Sequence, residues 1–327
     1  MPVVAILDDL LVFSETRLSW KGGSMSNRFL GCLVVAFVVL AQPVRAQLDQ
    51  TESWVAFVAN EYRVVPNVTY LIANDRENKV DLYLPESSDG PTPVLLYIHG
   101  GGWRQGSKES YVLRILPYLE MGWAVVNVQY RLSHVSQAPA AVEDCLCALR
   151  WVIRESDDYN FDSSRIVVTG QSAGGHLTLT TGMTPADAGL DRRCPGDEEL
   201  RVAAMINWYG VTDVADLLDG PNMTTWAVSW FGSRPDRMEA AKRVSPLAHV
   251  RAGLPPVFTV HGDADRAVPH SHALRLHAAL DNAGVPNEVH TVAGGGHGRF
   301  NRQEMHEIYT KIYRFLDRHG LVSGQNR

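Results

Sequence analysis

Long apolar runs, basic tracts and repeats are all scarce in this chain of 327 residues, and each absence removes a class of function. The main apolar run, Phe29 to Leu40, is twelve residues long. That is too short to cross roughly 30 Å of hydrocarbon, so no stable membrane anchor is expected. Lys and Arg together number 30 against 36 Asp and Glu, a formal net charge of −6. With no basic stretch and no platform of stacked aromatics, this balance argues against a nucleic-acid partner. No internal repeat or low-complexity tract interrupts the chain. What remains is an ordinary globular composition, 45% hydrophobic and 20% charged, long enough to build one large core.

The apolar run has its own explanation. Met25-Ser26-Asn27-Arg28 gives it a short cationic start, and Ala41-Gln42-Pro43-Val44-Arg45-Ala46 follows with small residues at the −3 and −1 positions. These are the three regions of an export signal over residues 25–46, with residues 1–24 an upstream extension from a misplaced start and 47–327 a single catalytic domain. A secreted or periplasmic location follows as an expectation. Of the four cysteines, Cys145, Cys147 and Cys194 would remain, so the monomer holds one bridge at most. In an oxidising compartment Cys194 is expected to pair with Cys145 or Cys147, which point to different faces of one helix.

Gly170-Gln171-Ser172-Ala173-Gly174 stands between the β-branched run Arg165 to Thr169 and a helix-like stretch starting at Gly175. Strand, sharp turn and helix with serine at the apex is the arrangement that lifts a hydroxyl above a sheet edge. It also aims the Ala173 amide the same way, at a helix N-terminus that favours negative charge. Upstream, His99-Gly100-Gly101-Gly102-Trp103 ends the buried run Pro93 to Ile98. Three consecutive glycines let amides face a ligand, so Gly101, Gly102 and Ala173 are the expected oxyanion donors, with His99 and Trp103 expected beside the substrate.

A serine hydroxyl needs a base oriented by a carboxylate. His297 lies in the glycine-rich loop Ala293 to Gly298, after the strand Glu288 to Val292. Asp263 and Asp265 both follow the strand Pro256 to Val260. Spacing alone does not choose between the two aspartates. Asp213, after the preceding strand, is a further candidate whose plainer role is to cap a helix. His176 reads as a packed helix residue, and His270, His272 and His277 as helical surface or structural groups. No metal and no organic cofactor is required.

From Lys79 onward, strands and helices alternate: strands near 79–84, 94–98, 124–128, 165–169, 202–208, 256–260 and 288–292, and helices near 113–121, 138–154, 268–283 and 303–316. This predicts a mostly parallel sheet covered on both faces, with ligands at the carboxyl ends of the strands, where every motif above falls. Residues 212–253, carrying Trp226, Trp230 and Phe231, form a poorly periodic insertion that serves either as a small lid or as core.

The run of motifs His99-Gly-Gly-Gly-Trp103, Tyr130-Arg131-Leu132-Ser133, Pro139-Ala-Ala-Val-Glu-Asp144, Ala148-Leu-Arg-Trp151 and Gly170-Gln-Ser-Ala-Gly-Gly-His176 resembles bacterial esterases of the BD-FAE group in the α/β-hydrolase superfamily. The resemblance implies an α/β-hydrolase fold and a Ser-His-Asp acyl-enzyme mechanism on short-acyl or aryl carboxylic esters, including acetyl or feruloyl groups on plant polysaccharide. It also selects Asp265, because His261-Gly-x-x-Asp265-x-x-Val268-Pro269 is similar to the superfamily's acid loop. Gln171, where glutamate is commoner, is the departure from the pattern. An arylformamidase-like amide hydrolase and a non-catalytic binding module are the alternatives, the latter disfavoured by an intact triad.

Overall fold

The computed structural model describes residues 58–322; the export signal at 25–46, the extension at 1–24 and the proposed cleavage site lie outside them. Eight strands form one sheet: β1 (Tyr62–Ala73), β2 (Arg76–Pro85), β3 (Thr92–Ile98), β4 (Ala124–Val128), β5 (Phe161–Gln171), β6 (Ala204–Trp208), β7 (Val257–Gly262) and β8 (Asn287–Val292). Their spatial order is β1-β2-β4-β3-β5-β6-β7-β8. β1 and β2 run antiparallel, and from β4 onward every pair is parallel.

The interior strands are buried at every position of β3, β4, β6 and β7, as continuous apolar runs between two helical layers must be. The edge strands are more exposed. β8 exposes part of itself, and β1 is broken by register shifts between Val65 and Val68 and between Thr69 and Leu71. Pro66 lies in the first shift, where an edge strand tolerates the missing N–H. There the Asn67 N–H donates to Asp81 Oδ1 at 2.8 Å.

The helices are α1 (Leu116–Glu120), α2 (Ala140–Arg154), α3 (Ala173–Met183), α4 (Thr225–Phe231), α5 (Arg237–Arg243), α6 (Ser271–Asn282) and α7 (Arg302–Arg318). Neighbouring residues on a strand face opposite sides, and β7 shows which helices cover which face. Val257 packs with Leu179 of α3 and with Leu276 and Leu280 of α6. Phe258, one residue on, meets Phe315 of α7 across the sheet, with ring centroids 5.4 Å apart. The expected first helix is shorter and tighter than its sequence suggests: a 3-10 segment, Lys108–Ile115, precedes the single turn of α1.

Two cross-links tie the covering layer. Arg131 grips Asp144 of α2, its Nε donating to Oδ2 at 2.9 Å and its Nη2 to Oδ1 at 2.7 Å, both groups almost fully buried. Cys147 of α2 is bridged to Cys194, closing a loop of 47 residues, while Cys145 is a buried thiol. Of the two helical cysteines, 147 is therefore the partner. Among the described residues no helix is long and apolar enough to cross a membrane.

Candidate active site

β5 delivers the serine. Ser172 has φ +57° and ψ −119°, a left-handed conformation that side-chain-bearing residues avoid. Two hydrogen bonds hold it there: its N–H donates to the Trp208 carbonyl at 2.9 Å, and its own carbonyl accepts from the His176 N–H at 3.0 Å. The flanking glycines have a steric cause. A Cβ on Gly170 or on Gly174 would lie inside the van der Waals radius of the Ile98 carbonyl oxygen at the end of β3, so only glycine lets the elbow approach that strand.

The loops after β7 and β8 bring the other two groups. His297 Nε2 lies 2.9 Å from Ser172 Oγ, and His297 Nδ1 lies 2.7 Å from Asp265 Oδ2. Asp265 Oδ1 accepts the Ala267 and Val268 N–H groups at 2.8 and 3.0 Å. Burial alone would push the Asp265 carboxyl up. Hydrogen bonds from His261 and His297, the His297 charge and the Val268 amide together hold it well below the usual carboxylate range. The other two candidate acids lie elsewhere: Asp263 accepts from the Gly294 N–H at 2.6 Å, and Asp213 pairs with Arg275 at 2.8 Å.

The glycine loop after β3 faces the same space. Gly101 has φ +120° and Gly102 φ +60°. A Cβ on Gly101 would strike the Gln105 carbonyl. The loop's internal bonds run from Arg104 and Gln105 N–H to the Gly101 carbonyl, which leaves the Gly101 and Gly102 amides uncommitted among the described residues. Gly101 and Gly102 line a cavity of about 430 Å³ together with Ser172 and His297. Ala173, the third expected donor, is the first residue of α3 and follows Ser172 directly, but it is buried and does not itself line that cavity.

His99 and Trp103 do not line that cavity, contrary to the expectation that they touch substrate; both are 0% exposed. Their burial has a plain cause. Trp103 stacks on Trp230 at 4.0 Å, and its indole N–H donates to His176 Nδ1 at 3.2 Å, while His176 Nε2 donates to the Val244 carbonyl at 2.7 Å. His99 stacks on Tyr130 at 4.3 Å and donates from Nδ1 to the Gly100 carbonyl at 2.7 Å. Burial pushes both imidazoles, His99 and His176, down to about 4, so both are neutral supports of the loop. Trp226 takes the lining position instead, 5.4 Å from Trp103. The insertion thus supplies both core and pocket wall: Trp230 and Phe231 are core, and Trp226 lines the cavity.

Several residues of the site are not singled out by the sequence as site residues: Tyr209, Tyr111 and Arg114 belong to none of the motifs that carry the chemistry, and His261 and Gln171 sit inside motifs without being assigned a role. The Tyr209 ring stands edge-on to His297 at 4.7 Å, and its position straight after β6 is the signal that could have found it. His261 closes on Asp265 Oδ2 at 3.4 Å and on the Val268 carbonyl at 3.0 Å. Arg114, Tyr111 and Gln171 line the cavity as well. Among the described residues no group of His, Cys, Asp and Glu is arranged to hold a metal ion.

Comparison with known proteins agrees with this geometry. The chain is 35% identical over 207 residues to a probable carboxylic ester hydrolase, LipM, of Mycobacterium tuberculosis, covering 61% of this chain and 47% of that protein. It spans about half the length of the curated relatives it matches first. Among solved structures it resembles a thermophilic esterase of the planctomycete Thermogutta terrifontis, with a TM-score of 0.68 and 25% identity, over 82% of this chain and 95% of that one. It also resembles a truncated carbohydrate esterase from gut microbiota, with a TM-score of 0.64 and 28% identity, over 78% and 96% of the two chains. The strand order, the elbow and these likenesses place the fold as α/β-hydrolase. The BD-FAE family model matches residues 80–280, which include the glycine loop, the elbow and Asp265, and the chain belongs to the BD-FAE family.

Proposed function

We propose that this chain is an exported serine esterase that cleaves short-acyl or aryl carboxylic esters, including acyl groups on polysaccharide, through an acyl-enzyme. The observation that carries the reading is the continuous relay from Asp265 through His297 to Ser172, with bonds of 2.7 and 2.9 Å, opening onto a cavity bordered by uncommitted amides. Asp265 fixes the imidazole so that Nδ1 carries the proton and Nε2 is free to accept one. Ser172 Oγ attacks the ester carbonyl as Nε2 takes its proton, and the carbonyl oxygen becomes an oxyanion held by the Gly101, Gly102 and Ala173 amides. The tetrahedral intermediate collapses as His297 returns the proton to the leaving alcohol. Water then enters and attacks the acyl carbonyl as the same nitrogen takes its proton; the Ser172 Oγ–acyl bond breaks, the acid leaves, and His297 returns that proton to Ser172 Oγ.

The relatives support the choice of bond, since the T. terrifontis neighbour is described as an esterase and is also solved with propionate bound. The gut-microbiota neighbour is the support for a polysaccharide-linked substrate. Export rests on the signal-like segment and on the Cys147–Cys194 bridge, which suits an oxidising compartment. The test is Ser172→Ala. Turnover of nitrophenyl acetate should fall by at least ~10³-fold and covalent labelling by an organophosphate should vanish, with denaturation unchanged. Retained turnover would refute the assignment.

A further inference from the structure

The cavity beside Ser172 takes its charged lining residues from one sign. Arg104 and Arg114 border it, and among the described residues no aspartate or glutamate does. Asp265 stands behind His297 with a side chain that is 0% exposed.

Arg114 is the informative one. It projects from the 3-10 segment Lys108–Ile115 and is half-buried. Other buried cations of this chain have carboxylates: Arg131 has Asp144, Arg150 has Asp191, and Lys108 has both Asp81 and Glu109. No carboxylate among the described residues pairs with Arg114. Its neighbours are phenols instead: it shares the wall of the main cavity with Tyr209, and that of a smaller cavity with Tyr97 and Tyr309. Withdrawing a guanidinium from water without a counter-charge is costly unless an anion arrives to complete it.

Gln171 supplies an independent sign of the same missing acceptor. It is 4% exposed, and its Oε1 accepts the Tyr97 hydroxyl at 2.7 Å. Its Nε2 has no partner among the described residues. Gln171 and Arg114 share the walls of the substrate cavity and of a smaller one behind it. One wall of the site therefore offers donors, with a positive charge, and lacks a matching acceptor.

Resting on the esterase reading above, we infer that this site selects esters that carry a carboxylate a few atoms from the scissile bond, received by the Arg114 guanidinium with Gln171 Nε2 as a second donor. The carboxylate belongs either to the acyl group, as in a dicarboxylic hemiester, or to the alcohol, as in an acylated hydroxy acid. The recognising chemistry is the same in both, and the experiment separates them.

Two matched pairs are hydrolysed by the wild-type protein: nitrophenyl hemiglutarate against nitrophenyl valerate, and 4-acetoxybenzoate against 4-acetoxybenzamide. The quantity read is the ratio of kcat/KM for the anionic to the neutral member, so a general loss of turnover cancels. One pair should show a ratio of roughly 10 or more at low salt, falling several-fold at high ionic strength. Arg114→Gln should lower that ratio roughly 10- to 100-fold, the range of a charge-assisted hydrogen bond. Gln171→Glu, which places a carboxylate beside Arg114, should lower it as well, and it keeps the test open if Arg114→Gln does not fold. Ratios near one in both pairs, or ratios untouched by salt and by both replacements, overturn the inference while leaving the esterase standing. No turnover of any of the four esters, with Ser172 unlabelled by an organophosphate, overturns the reaction and the inference together.

Discussion

Acidification should destabilise this protein well above the pH at which its carboxylates titrate, because three imidazoles are buried in the neutral state. His99, His176 and His272 are each 0% exposed. Burial pushes each down from 6.5 to about 4. In the unfolded chain the same groups protonate at the ordinary value, so between pH 6.5 and pH 4 the unfolded state binds more protons than the folded one. Stability then falls as pH falls through that window. Above pH 6.5 neither state is protonated and the dependence disappears; below about 4 both are, and it levels off. Each pH step of one below 6.5 costs a histidine about 1.36 kcal/mol, so going from pH 7.5 to pH 5 costs about 2 kcal/mol apiece, or about 6 kcal/mol for three that act independently. That compares with roughly 5–15 kcal/mol for the whole stability of a typical domain. Asp265 contributes with the same sign, but only nearer its unfolded value of 3.8, since its folded carboxyl is held lower still. Guanidinium denaturation at constant ionic strength from pH 7.5 to 5, followed by tryptophan fluorescence, measures the effect. A change under about 1 kcal/mol over that span would show that these imidazoles are not buried as neutral groups.

Three further outcomes are expected. Asp265→Asn should leave the fold intact and lower kcat on nitrophenyl acetate by up to ~10⁴-fold, because an amide at 265 favours the wrong imidazole tautomer at His297. Replacing Cys147 and Cys194 by serine should cost about 4 kcal/mol in the chain-entropy account of a 47-residue loop, seen as a lower denaturation midpoint that reductant no longer shifts. Trp103→Phe should cost about 2–4 kcal/mol, since it leaves His176 Nδ1 without its donor and trims the stack on Trp230; a variant as stable as the wild type would contradict the support role.

The parts of this molecule legible in the sequence are those fixed by short-range geometry. The elbow can be read because Gly170 and Gly174 are demanded by one carbonyl, that of Ile98, and the parallel strands can be read because burial on both faces leaves unbroken apolar runs. β1 is not legible, because Pro66 and the register shifts erase the alternation that marks a strand. Spacing does not separate Asp263 from Asp265, since what distinguishes them is which loop amides each one meets. Trp103 and His99 fall on the wrong side of their loop for a related reason: an aromatic beside a ligand loop is as useful behind the loop as in front of it. Arg114 carries no sequence signal at all, because its significance lies in partners it lacks.

Nucleophile and base are 125 residues apart, and the base comes from the loop after the last strand. A chain still being synthesised can complete β5, the elbow and the glycine loop while holding no group able to deprotonate Ser172. Reactivity is thus the last property the polypeptide acquires, and any product ending before residue 297 would be a scaffold without chemistry.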